Sequence, residues 1–247
     1  MAEDSLDSAV ARVHEVHRCL VDRGTRGVLP TVPAADGTWA LLPPLPLPPM
    51  PLDTALRDRR SHYRFADMDP RQLSTLLRSA TGPGRRVERP DGTPHTFRMN
   101  PTAGGLESID LHLVALRRTG EIGSGTYLFD PHRHVLSRTG TGPCIDALES
   151  CLVQPQFARR APFVVVLVGR LDRTLIKYSA RHYRTLHIDA GVVAQNLYLV
   201  ATALRLACCA ISGFYDAEIS NMLRLDRLSV PLLAFALGGL DEGGKQG

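Results

Sequence analysis

The sequence predicts a single domain of mixed α and β structure, preceded by a helical and proline-rich arm. Three observations predict it. FVVVLVG at 163–169 is short, β-branched and wholly apolar, as a buried central strand is. Residues 186–207 stay apolar over a length that suits a helix. PPLPLPPMP, from Pro43 to Pro51, is suited to neither a helix nor a central strand.

Taken in order, residues 4–22 carry Leu6, Val10, Val13, His17 and Leu20 at near-helical spacing, and Gly24 and Gly27 end that helix. Its apolar stripe must be buried somewhere, and the subunit interface is the expected place. The proline run reads as a stiff, extended connector; the alternative is a ligand for a proline-binding domain. Residues 1–51 are therefore the arm and 52–247 the main domain. Within the latter, 53–59 reads as a short helix, and Asp69-Pro70 opens another that runs through Ser79. TGPGRR at 81–86 reads as a loop, IDLHLVAL at 109–116 as a strand, and 126–137 as a hairpin around DPHRH. The helix at 186–207 carries Ile188, Val192, Val193, Leu197, Leu199, Val200 and Leu204, apolar on almost every side, so it belongs in a core or an interface. PLLAFAL at 231–237 is the last strand. No internal repeat is visible.

Composition narrows the function classes. The chain has 247 residues, 44% hydrophobic and 22% charged, enough to bury a core and too apolar for wholesale disorder. Its formal charge of +4 comes almost wholly from arginine, since lysine occurs only at 177 and 245. The arginines are scattered in short pairs rather than gathered in a stripe, which argues against nucleic acid. Five cysteines with no C-x-x-C spacing argue against a disulfide framework and a zinc site, and point to reduced, cytoplasmic thiols. The acidic start MAEDSLDSAV is no signal peptide, and no apolar stretch reaches the length of a membrane span. His14 with His17 and His132 with His134 form close pairs without a third ligand, so no metal is expected.

Four segments can carry chemistry. RRSHYRF at 59–65 offers Arg59, Arg60, Ser61 and Arg64, guanidinium and hydroxyl donors suited to a phosphate, although an arginine cluster is also an ordinary solvated face. Pro101, Thr102, Ala103, Gly104 and Gly105 allow backbone to approach a flat ligand, or simply make a turn. Lys177-Tyr178, followed by Arg181, Tyr183 and Arg184, places a lysine beside a tyrosine in a chain that otherwise avoids lysine. The ammonium favours the phenolate, a base for an acidic C–H; the competing reading is a basic surface helix. Finally, Cys208-Cys209-Ala210-Ile211-Ser212-Gly213-Phe214 reads as the exit of the apolar helix. There a Ser-Gly turn could present N–H groups to a ring system, and the tandem cysteines read as small packed residues.

In order, RRSHYRF, PTAGGLESIDLHLVAL, YLFDPHRHVL, APFVVVLVG, KYSARHYR, DAGVVAQNLYLVATALRL, ISGFYD and PLLAFALG resemble the nitroreductase superfamily. Within it they are most similar to the streptolysin-type (SagB-like) dehydrogenases. The resemblance covers residues 52–239. It implies an α+β nitroreductase-like fold with a mostly antiparallel sheet wrapped by helices, a homodimer formed through long central helices, and FMN lying across the interface. It also implies that Arg59, Arg60, Ser61 and Arg64 hold the FMN phosphate. Pro101, Thr102, Ala103, Gly104 and Gly105 would line the isoalloxazine from the partner subunit. Ala210, Ile211, Ser212 and Gly213 would contact it near its reactive nitrogen, with Gln154 a further contact.

Lys177 and Tyr178 match the family's proposed catalytic couple, and Arg181, Tyr183 and Arg184 are the substrate-side candidates. The implied activity is oxidation of thiazoline or oxazoline rings to azoles in a ribosomally made peptide, alongside a cyclodehydratase partner. Two departures bear on FMN: Tyr63 stands where many members carry arginine, with Arg64 available from a different face, and the ending ALGGLDEGGKQG lacks the basic residue that often follows the family's last strand and helps bind the phosphate. An NAD(P)H-dependent nitro or quinone reductase and a flavin-free scaffold subunit are the alternatives.

Overall fold

Val164, Val166 and Val168 point to one side of a sheet and Phe163, Val165 and Leu167 to the other, and helices cover both sides. That is why this run is apolar at every position rather than at alternate ones. The computed structural model describes residues 14–16, 38–142 and 144–241. Its strands are Thr38–Ala40 (β1), Pro83–Glu88 (β2), Pro94–Arg98 (β3), Ile109–Ala115 (β4), Gly125–Asp130 (β5), Val135–Thr141 (β6), Phe163–Arg170 (β7), Leu206–Ile211 (β8) and Ser229–Gly239 (β9). The helices are Leu52–Asp58 (α1), Pro70–Thr81 (α2), Ile145–Cys151 (α3), Gln156–Arg160 (α4), Leu171–Leu175 (α5), Tyr183–Ala203 (α6) and Asp216–Leu223 (α7). Seven strands form one sheet in the order β1-β6-β5-β4-β7-β9-β8, every pair antiparallel. This is the expected α+β architecture.

One face of the sheet packs on α2 and α6 through Leu73, Leu76, Leu77, Leu186, Val193 and Leu197. The other packs on α3, α4 and α7 through Leu148, Phe157, Ile219 and Leu223. α2 begins where the sequence places it: Asp69 caps the first turn and Gln72 reaches back to the Asp69 N–H, with Pro70 at the first helical position. The 126–137 hairpin is β5–β6, and Asp130 closes its turn by accepting the N–H groups of His132 and Arg133.

Several expectations need correction. TGPGRR is a loop only in part, because Pro83–Glu88 is β2, paired with β3 in a separate two-stranded ribbon. Proline at the first residue of a strand costs no ladder bond, so its loop signal misleads. The apolar helix ends at Ala203 rather than 207, and Cys208–Ile211 is an edge strand on β9 rather than a helix exit. Arg205 makes the break with φ 55°, a conformation usually left to glycine, so no local signal announces it. α6 also buries only one face, leaving Ile188 59% exposed.

In the arm, Thr38–Ala40 pairs with β6, and Trp39 meets Tyr127 edge-on at 6.0 Å. The proline run carries neither helix nor strand. It is fastened to α2 by Leu45 N–H to Thr75 Oγ1 (2.8 Å) and Ser74 Oγ to the Leu42 carbonyl. Most of the predicted helix at 4–22 lies outside the described residues, as does Lys245; His14–Val16 are helical and exposed. Among the described residues no helix is long and apolar enough to cross a membrane.

Candidate active site

The glycine-rich loop makes a short 3-10 turn at Ala103–Gly105, with φ 66° at Gly104 and 67° at Gly105. Residues with a Cβ rarely adopt that conformation, so the two glycines are a backbone requirement. The loop is pinned from α6. Asp189 Oδ1 accepts the Ala103 N–H (3.3 Å), and Asp189 Oδ2 accepts the Ser108 hydroxyl (2.6 Å). Asp189 is buried, a carboxylate whose desolvation is offset by these donors.

Lys177 and Tyr178 follow α5, and both their N–H groups reach the Thr174 carbonyl (3.2 and 2.9 Å). α5 is itself held by a buried ionic lattice. Arg170 forks onto Asp172 (2.9 and 2.7 Å), while Arg173 bonds Asp110 (2.7 and 3.1 Å) and the Glu107 carbonyl (2.8 Å). Hydrogen bonding to Asp172 raises the Arg170 pKa. At Asp172, burial pushes the carboxyl up, but the bonds and charge of Arg170 outweigh it and the net direction is down.

The lattice brings the two segments together. A Cβ on Gly104 would stand 2.3 Å from Tyr178 Oη and 3.0 Å from Lys177 Nζ. Lys177 Nζ lies 5.4 Å from the Tyr178 ring centroid. His182 stacks on that ring at 4.3 Å and 15°. His182 is buried with Nε2 unpartnered, and burial lowers its pKa against the pull of Asp189. Arg181, Tyr183 and Arg184 are exposed around the start of α6, beside this group.

A second group gathers near the other end of α6, around Tyr198. Its hydroxyl meets Ser61 Oγ (2.8 Å) and accepts the Ala210 N–H (2.9 Å), and the Arg59 guanidinium lies over its ring at 5.1 Å. The His62 N–H donates to the Cys208 carbonyl (2.8 Å), fastening the arginine segment to β8. Arg60 and Arg64 are exposed on the same segment. Beyond β8, Ile211 is buried, Ser212 exposed, and Gly213 accepts the Val153 N–H (2.9 Å), which puts Gln154 next to that turn. Burial pushes the Cys208 thiol up to about 12 and raises Cys209 as well, so neither is a ready thiolate. Tyr63 leans on Phe157 at 5.9 Å.

The candidate residues thus fall into two groups, Pro101–Gly105 with Lys177 and Tyr178, and Arg59 and Ser61 with Ala210–Gly213 and Gln154. Asp189 and Tyr198, their anchors, are nine residues apart on α6, about 13 Å along its axis. Sequence reasoning missed Asp189, His182 and Tyr198. For Asp189 and Tyr198 the available signal was a carboxylate and a tyrosine inside a largely apolar helix.

The Nitroreductase family profile matches residues 56–239. A protein of Methanocaldococcus jannaschii, provisionally assigned as a nitroreductase, is 31% identical over 189 residues, 76% of this chain and 90% of that protein. The microcin B17-processing protein McbC of Escherichia coli is 26% identical over 153 residues, 58% of this chain and 54% of that one. Among solved structures, a chain of the E. coli microcin synthetase McbBCD complex with truncated pro-MccB17 bound superposes with a TM-score of 0.61 at 20% identity. It covers 96% of this chain and 95% of that one. By the extent of the profile match and by the 31% identity to the M. jannaschii protein, the chain belongs to the nitroreductase family.

Proposed function

We propose that the protein is an FMN-dependent dehydrogenase that oxidises azoline rings in a ribosomally made peptide to azoles. The observation that carries this reading is the meeting of Tyr178 Oη and Lys177 Nζ on the bare backbone of Gly104. The likeness to McbC, a microcin-processing protein, supports it. The chain's residues also fit the cofactor chemically. Arg59, Arg60 and Ser61 offer cationic and hydroxyl donors for a phosphate, and Gly105, where a Cβ would meet nothing nearer than Phe97 at 4.0 Å, leaves its backbone open to a flat ring. When bound, FMN supplies a two-electron acceptor that oxygen can reoxidise.

The chain's own part is positioning and proton handling. The ring's α C–H is acidified by the adjacent imine and carbonyl. Tyr178 Oη takes that proton, with Lys177 Nζ beside the same glycine. Loss of the proton together with a hydride aromatises the ring, which makes the step downhill. The stack of His182 on one face of Tyr178 and Gly104 at its hydroxyl hold the base in place.

The two groups at either end of α6 support a homodimer. An isologous pairing along the exposed Ile188 side of α6 would bring the Arg59 group of one protomer to the Gly104 group of the other. A cyclodehydratase partner would supply the azoline. The decisive variant is Tyr178→Phe, which should keep FMN yet lose azole formation; normal turnover by it would overturn the assigned role. A second reading, an NAD(P)H-dependent nitro or quinone reductase, is favoured by the 31% identical relative. It predicts that NADPH bleaches the bound flavin, whereas a dehydrogenase of azoline peptides leaves NADPH untouched.

A further inference from the structure

We propose that the pocket between the β2–β3 ribbon and the glycine-rich loop is a docking subsite for an acidic stretch of the substrate peptide, bound as an added strand along β3. The inference rests on the peptide-oxidising reading and names a selectivity within it. The cavity holds about 400 Å³, and its walls include Arg85, Phe97, Arg98, Asn100 and Thr102. Pro101, Thr102 and Gly105 of the glycine-rich loop line it, and Gly104 of the same loop is the residue that meets Tyr178 and Lys177.

Charge favours an anionic occupant. Residues 83–98 contain four arginines (Arg85, Arg86, Arg89, Arg98) against two carboxylates (Glu88, Asp91). Asp91 is engaged in its own turn by Thr93. Glu107, the carboxylate on the pocket wall, is shared between Arg98 at 3.5 Å and His132. Arg85 is exposed and, among the described residues, forms no salt bridge; its guanidinium rests on Phe97 at 5.0 Å, aligned at the pocket.

Backbone geometry favours a peptide over a free anion. Among the described residues β2 and β3 pair only with each other, so β3 presents an open edge, the feature that strand addition uses. Arg98 Nε and Asn100 Oδ1 are buried without partners, one donor and one acceptor two residues apart at the end of that strand. A peptide group supplies the complement of both. Met99, between them, is 49% exposed and gives the added chain an apolar contact.

The test uses the FMN-loaded protein and short synthetic peptides with a central thiazole, flanked by aspartates, lysines or glycines, each with a fluorescent label. Anisotropy should show the aspartate peptide binding about fivefold to tenfold tighter than the lysine peptide at low salt, the scale of two exposed ion pairs, with the gap closing at high salt. Arg85→Glu, an exposed change that should keep FMN, should erase or reverse that preference. Equal binding of all three peptides by the unmodified protein would overturn the subsite, as would an Arg85→Glu variant that keeps the preference or loses only affinity for NADPH. The matching thiazoline peptides separate the two ideas: charge-selective binding without oxidation would support the subsite and sink the dehydrogenase, and equally efficient oxidation of all three would do the reverse.

Discussion

Gly104 and Tyr178 share one small volume, so a side chain added at 104 must displace the tyrosine hydroxyl. An alanine at 104 adds strain of about 1–2 kcal/mol from its positive φ, and its Cβ would collide with Tyr178 Oη. Gly104→Ala should therefore remain folded and lose azole formation by roughly tenfold to a hundredfold, because a displacement near 1 Å is enough to misplace a base. Rates and a thermal melt on the same sample check this; an unimpaired variant would mean that the hydroxyl has no role.

His112 makes a different prediction. Burial, opposed by Asp110 and assisted by Arg170, pushes its pKa down to about 4 from 6.5. The folded value lies below the unfolded one, so the unfolded chain takes up the proton first as the pH falls. Stability should decline between pH 6.5 and 4, by roughly 3 kcal/mol in full. Urea titrations across that range should show the slope, and His112→Leu should flatten it. At this scale the sequence was partly legible. Arginine, lysine and paired glycines advertise their chemistry locally, whereas Tyr198 gains its partners Ser61 and Arg59 from far along the chain.

Among the elements, α5 and its ionic lattice decide where the Lys-Tyr pair sits. Arg170 is buried with Asp172 and Asp110 around it, and removing one partner of such a group leaves uncompensated charge. Arg170→Met should cost about 3–5 kcal/mol and lower Tm by roughly 6–20 °C. Calorimetry would decide it, and a shift of a degree or less would show the lattice to be dispensable. α2 could be read from its capped start and amphipathic spacing, and β7 from its short, continuous β-branched apolar run. β8 could not. Its LACCAI follows a long apolar helix with only Arg205 at positive φ between them, so hydrophobicity continues while the backbone changes state. β2 was hidden for the opposite reason, since its Pro and Gly look like a turn. β1 was hidden by its brevity, three residues inside a segment that otherwise reads as a connector.

In the whole molecule, the separation of the Arg59 group from the Gly104 group along α6 is what a single protomer leaves unexplained. If two copies complete each other, disrupting their contact should also release the cofactor. Ile188→Glu, at an exposed site on α6, should yield monomers by light scattering and a protein with little flavin; a monomer that keeps a full complement would contradict the shared site. The overall architecture was legible because eight separated segments kept their order, which constrains a fold far more than any one of them. The pairing of distant groups was not, because spacing along a chain carries no information on which ends meet.

The central claim, dehydrogenation of azolines, is tested most directly by mixing the purified, FMN-loaded protein anaerobically with a thiazoline peptide while following the flavin band and the peptide mass. Bleaching of the band, with loss of two hydrogens per ring, is the predicted result, and admitting air should restore the colour. A flavin band that stays unchanged with the peptide, yet bleaches on addition of NADPH, would contradict it and give the nitroreductase reading the lead.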